Sequence, residues 1–189
     1  TVAIETRLGT IKVMLYDSTP KHQENFLKLA EEGFYDSTLF HRVIPGFMIQ
    51  GGDPDSRTAP PGQRLGMGGP GYKVDAEIGA PHIRGALAAA RDGNPQKRSS
   101  GSQFYIVTGR PITDQDLNAI EQQKGITYNE AQRELYKEMG GTPQLDQDYT
   151  VFGEVIEGMD VVDAIAQEAR DRADRPFQNV RMSMRVIKK

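Results

Sequence analysis

Residues 40–53 read Phe40-His41-Arg42-Val43-Ile44-Pro45-Gly46-Phe47-Met48-Ile49-Gln50-Gly51-Gly52-Asp53. This stretch mixes a cation, two large apolar side chains and an amide around a Pro-Gly bend. If 47–50 is extended, Met48 and Gln50 share one face of the strand, and Phe47 and Ile49 share the other. Taken alone, Arg42 fits a solvated surface charge better than a catalytic group, and Phe47 and Met48 fit ordinary core positions.

Alternating apolar residues on both sides of this stretch predict a framework of β-strands. Val2 and Ile4 begin a hairpin that turns at Leu8-Gly9-Thr10 and returns through a second alternating run. Further strands are predicted at 85–90, 104–107, 149–155 and 180–187. The last of these is expected to close the sheet.

Two helices belong to this framework. The first has Thr19 as its predicted N-cap, Pro20 in its first turn and Gly33 as its stop. The apolar face of the second is marked by Val161, Val162, Ile165, Ala166 and Ala169. Many strands with two core helices indicate a mainly β fold built as a closed barrel, because closure removes exposed sheet edges.

In residues 111–143 the strand-like alternation gives way to helical spacing of apolar residues, which predicts a helical insertion on the β framework. A capping box of Thr127 and Glu130 is expected to begin the longer helix, which Gly140-Gly141 ends. Apolar positions of this helix and of a shorter one before it are Leu117, Ile120, Leu135 and Met139. The insertion is either a self-packing excursion, the reading we favour, or an element that shapes substrate choice or docks a partner.

The composition is that of a globular chain, with 37% hydrophobic and 26% charged residues among 189. We expect one domain over residues 1–189. No apolar run reaches the roughly 18 residues of a membrane helix. A net charge of -3 with mixed signs argues against a nucleic-acid binder. The absence of cysteine excludes disulfides, thiolate metal sites and cysteine nucleophiles.

Several other signals are weak. Residues 54–73 predict a long irregular loop, of the kind that is usually functional or mobile. Gly66–Gly71 lacks the lysine-serine pair of a phosphate loop, so a surface loop is favoured. His22, His41 and His82 show no metal-ligand spacing, and His41 is given a structural role. The charged run 168–175 is interpreted as a solvated helix end and loop.

Three ordered segments carry a resemblance to a known family. The first is residues 40–53, and the second is Gly101-Ser102-Gln103-Phe104-Tyr105-Ile106. The third is Leu145-Asp146 followed by Tyr149-Thr150-Val151-Phe152-Gly153-Glu154-Val155. All three are similar to the signature segments of the cyclophilins, a family of peptidyl-prolyl cis-trans isomerases. The resemblance covers most of residues 2–110 and 144–188.

The resemblance implies an eight-stranded antiparallel barrel capped by two helices, with an active-site groove on its outer face. It implies isomerisation of X–Pro peptide bonds without a metal or cofactor. The positions that match the catalytic residues of the family are Arg42, Phe47, Gln50 and Gln103, with Arg42 as the catalytic cation. Its substrate-binding positions are Met48, Ala90, Arg91, Phe104, Tyr105, Leu145 and Tyr149. The resemblance implies that Phe47, together with Met48, Tyr105 and Leu145, forms the proline pocket, and that Arg91 contributes mainly backbone.

Three positions depart from the family pattern. Tyr105 stands where many members have Phe, and Tyr149 stands where a His often lines the groove. Gln144 stands where an aromatic residue often contacts cyclosporin, so we expect weakened cyclosporin binding.

The expected partners are proline-containing peptides and folding client proteins, bound by a monomer that neither inserts into membranes nor binds nucleic acid. The alternative function is a proline-binding module with little turnover. A hydrolase or a metal enzyme is not favoured, because the sequence has no matching set of catalytic or metal-binding residues. The start at Thr1 fits a removed leader or a trimmed start. We favour the cell envelope or periplasm over the cytoplasm.

Overall fold

The computed structural model describes residues 1–187; residues 188 and 189, the end of the expected domain, lie outside the described part. Its eight strands are β1 Val2–Thr6, β2 Gly9–Leu15, β3 Phe40–Ile44, β4 Met48–Gly51, β5 Ala86–Ala89, β6 Phe104–Val107, β7 Val151–Glu157 and β8 Ser183–Val186. The α-helices are α1 Pro20–Glu31, α2 Asp114–Lys124, α3 Glu130–Met139 and α4 Met159–Ala166. No helix within residues 1–187 is both long and apolar enough to span a membrane.

The strands form one antiparallel sheet in the order β3-β4-β6-β5-β7-β2-β1-β8. The sheet curls until its two edges meet. At that seam Leu39 bridges to Arg181, and the Phe40 amide donates to the Val180 carbonyl at 3.0 Å. Within residues 1–187, β3 and β8 share no ladder. The expected mainly β, cyclophilin-like barrel is therefore confirmed, but "closed" overstates a seam made by single backbone contacts.

The barrel interior is lined by one cross-strand row of apolar side chains. Val43 pairs with Ile49, Ile49 with Ile106, and Ile106 with Leu87 across β3, β4, β6 and β5. All four side chains are fully buried. Because paired residues project to the same side of a sheet, this row leaves the other face of the same strands free for a groove.

Both core helices pack their apolar faces into this interior. Helix α1 begins at Pro20 after the N-cap Thr19, as predicted, but the Thr19 hydroxyl donates to the Tyr16 carbonyl at 3.2 Å instead of capping the helix. Helix α4 buries Val162, Ile165 and Ala166 as predicted. Ala169 lies beyond the end of α4 and is exposed, because the helix stops three residues earlier.

The insertion is helical, as predicted, but its start and its buried face differ from the prediction. The capping box of α3 is Asn129 with Gln132, so the predicted Thr127–Glu130 box is wrong. Asparagine is a stronger N-cap than threonine, and the same three-residue spacing repeats two positions later. Leu135 and Met139 are exposed.

The side chains that the insertion buries are two aliphatic residues and two tyrosines, from both helices, the loop between them and the segment before α2. They form a small separate core of Ile112, Leu117, Tyr128 and Tyr136, with Ile120 packed against it.

Candidate active site

A polar row crosses the outer face of three neighbouring strands. Arg42 on β3 lies opposite Gln50 on β4, and Gln50 lies opposite Tyr105 on β6. In the next row, Ile44 lies opposite Met48, which lies opposite Val107. The antiparallel register therefore places a cation, an amide and a phenol beside an apolar strip on one surface.

The apolar strip is part of an outer-face cluster. Its buried members are Met48, Ala86, Ala88, Tyr105, Val107 and Val151, and the half-buried residues packed against it include Phe47, Ala90, Leu145 and Tyr149. Phe47 was expected on the same face as Ile49, and this is wrong. Gly46 adopts a φ of 73°, so the turn includes Phe47 and the strand alternation begins only at Met48.

The two glutamines of the site are bonded to each other. The Gln50 side-chain nitrogen donates to the Gln103 side-chain oxygen at 3.0 Å. The Gln103 nitrogen in turn donates to the Gly68 carbonyl at 2.8 Å. A Cβ at position 68 would lie 2.1 Å from an Asp53 carboxylate oxygen, so this close approach requires glycine. Gln103 is thereby fixed at both ends and orients Gln50.

Two cavities flank this amide pair. One, of about 320 Å³, is lined by Arg42, His41 and part of the 54–73 loop. The other, of about 570 Å³, is lined by Ala90, Arg91, Gln103 and a later part of that loop. Gln50 and Gly66 line both. The cavities therefore form adjoining compartments of one groove, and the predicted irregular loop is one of its walls.

The guanidinium of Arg42 is available to a ligand. The side chain is exposed, and it makes no hydrogen bond or salt bridge with any of residues 1–187. In particular, neither Gln50 nor Gln103 holds it by a side-chain hydrogen bond. The neighbouring His41 is buried, and burial, against the opposing pull of Asp53, lowers its pKa to about 4. His41 is therefore neutral at pH 7, and Arg42 is the charged member of this pair.

The family model described as cyclophilin type peptidyl-prolyl cis-trans isomerase/CLD matches residues 1–186. The chain belongs to this family. It is thus a peptidyl-prolyl cis-trans isomerase of the cyclophilin type. The three signature-like segments found in the sequence all fall within the matched residues.

Relatives and solved structures agree with this assignment. A protein of Staphylococcus epidermidis that carries the name of a peptidyl-prolyl cis-trans isomerase is 36% identical over 185 residues, covering 95% of this chain and 87% of the relative. One of Staphylococcus haemolyticus is 35% identical, covering 95% and 86%. The crystal structure of a Cryptosporidium parvum cyclophilin in the presence of the dipeptide Ala-Pro superposes with a TM-score of 0.69 at 27% identity, covering 100% of this chain and 99% of the other.

A buried histidine that sequence reasoning missed lies against the outer-face cluster of this cyclophilin. His82 is fully buried, and its Nε2 lies 2.7 Å from the Tyr105 hydroxyl. Its ring stacks on Tyr105 with 5.8 Å between centroids. Its Nδ1 lies 2.9 Å from the Asp146 carboxylate. Burial raises the pKa of Tyr105 well above its usual value, so the phenol is neutral.

The far side of the groove is built by an aromatic residue and a cation. Tyr149 meets Tyr105 edge to face at 5.8 Å, and the Arg91 guanidinium lies 4.7 Å from the centre of the Tyr149 ring. Arg91 Nε also donates to the Asp148 carbonyl at 2.6 Å. Arg91 thus uses its side chain to hold the wall, in addition to the backbone role expected for it. Ala90 pairs by backbone with Gln103 and Ser100.

Phe104 does not reach the groove. It projects from β6 to the barrel interior, is 1% exposed, and meets Phe26 edge to face at 5.6 Å. Because neighbouring strand residues point to opposite faces, Tyr105 faces the groove and Phe104 cannot. The expectation that Phe104 binds substrate is corrected to a core role.

Two buried charged residues hold the loop wall, and the sequence interpretation missed both. Asp53 is fully buried and accepts the Gly66 amide at 2.6 Å. Arg175 is 5% exposed and donates to the carbonyls of Ala59, Pro60 and Gln63. The interpretation of 168–175 as solvated is therefore wrong at Arg175.

Proposed function

We propose that Arg42 is the catalytic cation of this isomerase and that the outer-face cluster beside it holds the substrate proline. The observation that carries the proposal is an exposed guanidinium, unpaired within residues 1–187, on the same face as an apolar cluster that includes Phe47, Met48, Tyr105 and Leu145. An apolar surface grips a proline ring, while the cation remains free to meet the amide.

The reaction needs no bond to break. Amide resonance sets a barrier of about 18–20 kcal/mol to rotation about the peptide bond. Uncatalysed X–Pro interconversion takes tens to hundreds of seconds, which is slow enough to limit folding. In the twisted transition state resonance is lost, and the proline nitrogen gains a localised lone pair. A catalyst for this step therefore has to bind the twisted amide more tightly than the planar one.

Arg42 would supply that differential binding. A guanidinium N–H aimed at the pyramidal nitrogen stabilises the transition state and gains little from the planar ground state. The fixed fork of arginine holds its direction better than a flexible ammonium does. The apolar pocket also favours the twisted amide, whose charge separation is smaller than that of the planar form.

Magnitudes indicate that several groups share the work. A 10⁵-fold acceleration corresponds to about 7 kcal/mol. One hydrogen bond to a charged group contributes roughly 1.5–3 kcal/mol. Positioning of the substrate must supply the remainder. We assign this to Gln50, oriented by Gln103, and to the backbone of Arg91, which makes no hydrogen bond to other described residues.

The experiment is two-dimensional exchange NMR on a short Ala-Pro peptide at catalytic enzyme concentration. Wild type should give exchange cross-peaks that Arg42→Ala abolishes, with an unchanged melting curve because Arg42 is exposed. Arg172→Ala, an exposed arginine outside the groove, is the matched control and should retain exchange. Full activity in folded Arg42→Ala would refute the assignment. Peptide binding without accelerated exchange by wild type would instead make the chain a proline-binding module.

Folding client proteins are the substrates that this groove fits, since it is open and lined by loop as well as barrel. Cyclosporin should bind weakly, because Gln144 is exposed and offers no aromatic surface beside Leu145. Competition between cyclosporin and the Ala-Pro peptide measures this directly. Tight inhibition would contradict the proposal, and Gln144→Trp should strengthen binding if it holds.

A further inference from the structure

We infer that the helical insertion is a positioning element of the proline pocket, acting through Asp146 and Lys124 on the residues that form one wall and the floor. The inference rests on the proposed function of the groove. The insertion here means residues 111–143, and the pocket wall means residues 144–149, which carry Leu145 and Tyr149.

Asp146 is the junction between the insertion and the groove. It is 2% exposed, and its carboxylate accepts hydrogen bonds on both oxygens. Oδ2 accepts the hydroxyls of Tyr128 at 2.7 Å and Tyr136 at 2.5 Å, both from the insertion. Oδ1 lies 2.8 Å from the backbone nitrogen and 2.9 Å from Nδ1 of His82. A buried carboxylate satisfied in this way is fixed in position.

The same network continues to the pocket floor. Nδ1 of His82 lies 2.9 Å from Asp146 Oδ1 and Nε2 lies 2.7 Å from the Tyr105 hydroxyl, so the imidazole joins the carboxylate to the phenol. The hydroxyls of Tyr128 and Tyr136 are therefore three hydrogen bonds away from the pocket phenol. The phenol of Tyr105 is the group that this sequence adds where many family members have a plain phenyl ring, and the network gives that added hydroxyl its partner.

A second link runs from the end of α2 to the backbone of the pocket wall. Lys124 Nζ donates to the carbonyls of Gln144 and Asp146, each at 2.7 Å, and to the Asp148 carboxylate at 2.5 Å. These three acceptors flank Leu145 on both sides and reach the residue before Tyr149. The Lys124 side chain is only 17% exposed, so its ammonium is held between the insertion and the wall.

The two links converge on different parts of one pocket. The tyrosine link sets the position of the Tyr105 ring through His82, and the lysine link sets the backbone that carries Leu145 and Tyr149. A self-packing excursion would satisfy its polar groups internally, whereas the insertion directs two buried hydroxyls and an ammonium at the groove. Substrate fit is sensitive to displacements of about 1 Å, so loosening either link should weaken proline binding.

The test compares the double variant Tyr128→Phe/Tyr136→Phe and the single variant Lys124→Met with wild type. Each keeps the bulk of the side chain and removes only the polar contacts. We expect a three- to tenfold rise in the Kd of the Ala-Pro peptide and a matching fall in kcat/KM through KM, with kcat changed less. Shifts in the Tyr105 ring and Leu145 methyl NMR signals should accompany the loss.

A control separates positioning from general destabilisation. Tyr35→Phe removes another buried tyrosine hydroxyl, which bonds the Ser102 carbonyl at 2.9 Å on the core side of the barrel. It should lower the melting temperature and leave Kd and kcat/KM within twofold. All measurements are made well below each melting point. If the double variant fails to fold, Lys124→Met alone decides the outcome.

Wild-type Kd and kcat/KM in both folded test variants would overturn the inference and leave the insertion as a self-packing excursion. The Kd of the peptide tests the positioning role of the insertion separately from the catalytic role of Arg42. If wild type binds the peptide but does not accelerate exchange, the proposed function fails, while the change in Kd between variants still tests the positioning role.

Discussion

Gln50 and Gln103 form a single polar unit, in which the amide of Gln50 donates to the side-chain oxygen of Gln103 at 3.0 Å. Gln103 is 4% exposed, and it is also bonded to the groove loop at Gly68. The unit therefore joins β4, the residue directly before β6 and the loop that lines both cavities.

Gln103→Leu should lower kcat/KM about tenfold with a modest loss of stability. The substitution keeps the volume but removes the bonds that orient Gln50 and hold Gly68, and one hydrogen bond contributes about 1 kcal/mol net. Exchange NMR on the Ala-Pro peptide measures the change. Gln23→Leu is the matched control, because Gln23 is a half-buried residue of α1 that bonds to Asp17 away from the groove, and it should leave kcat/KM unchanged. An active Gln103→Leu variant would show that Gln50 needs no support.

His41→Leu should flatten the pH dependence of stability. The folded-state pKa of His41 is lowered by burial from 6.5 to about 4, so its contribution to stability is complete above pH 6.5 and is lost as the pH falls toward 4. About 2 to 3 kcal/mol of unfolding free energy depends on this group across that range. Urea unfolding at pH 7.5 and pH 4.5 measures the loss.

The comparison for His41 is between the two proteins rather than between the two pH values alone. Burial also lowers the pKa of His22, so wild type and variant share that part of the pH dependence. If the unfolding free energy changed equally with pH in wild type and variant, His41 would become protonated in the folded state without cost. The nitrogen Nδ1 of His41 has no hydrogen-bond partner among the described residues, so leucine loses no bond there.

Tyr105→Phe should cost about 1–3 kcal/mol of unfolding free energy, because Nε2 of the buried His82 then has no partner. For a chain of this length that is a fall of several degrees in melting temperature. Thermal unfolding followed by circular dichroism measures it. Tyr149→Phe is the comparison, since its hydroxyl makes no hydrogen bond within residues 1–187. Equal melting temperatures for the two variants would contradict the role given to the phenol of Tyr105.

Arg175→Met should loosen the loop that lines the Arg42 cavity. The buried guanidinium donates to three loop carbonyls, and the apolar replacement leaves these groups unsatisfied. Hydrogen exchange and tryptic cleavage after the exposed Arg64 should both accelerate. Arg172→Met, which is exposed, serves as the control. Unchanged protection of residues 59–66 would mean that Asp53 alone holds the loop.

The parts of this molecule that follow local rules could be predicted from its sequence. Alternation predicted the strands, and Pro20 after Thr19 predicted the start of α1. The face of Phe47 was misassigned because the turn at Gly46 extends one residue further than its sequence indicates. The α3 cap was misassigned because two polar pairs of equal spacing compete, and only the folded chain selects Asn129.

Buried polar groups were the main part that could not be predicted. His82 and Asp146 are 64 positions apart, and no spacing rule joins a lone histidine to a distant carboxylate. Arg175 lies within a charged run whose other members are on or near the surface, so its burial depends on loop carbonyls contributed by residues more than a hundred positions away. Such pairs arise from tertiary packing, which single-sequence patterns do not encode.

The seam of the barrel has a mechanical consequence for the strand that carries Arg42. On its outer side β3 is held by separate backbone bonds, from Phe40 to Val180 and from Val43 to Asp174, rather than by a ladder. The segment 180–182, directly before β8, bonds to residues 37–40 at the start of β3, so a displacement of β8 is passed to β3 through these few bonds. β3, the strand that carries Arg42, is therefore joined through a short backbone segment to β8, the last strand of the described residues.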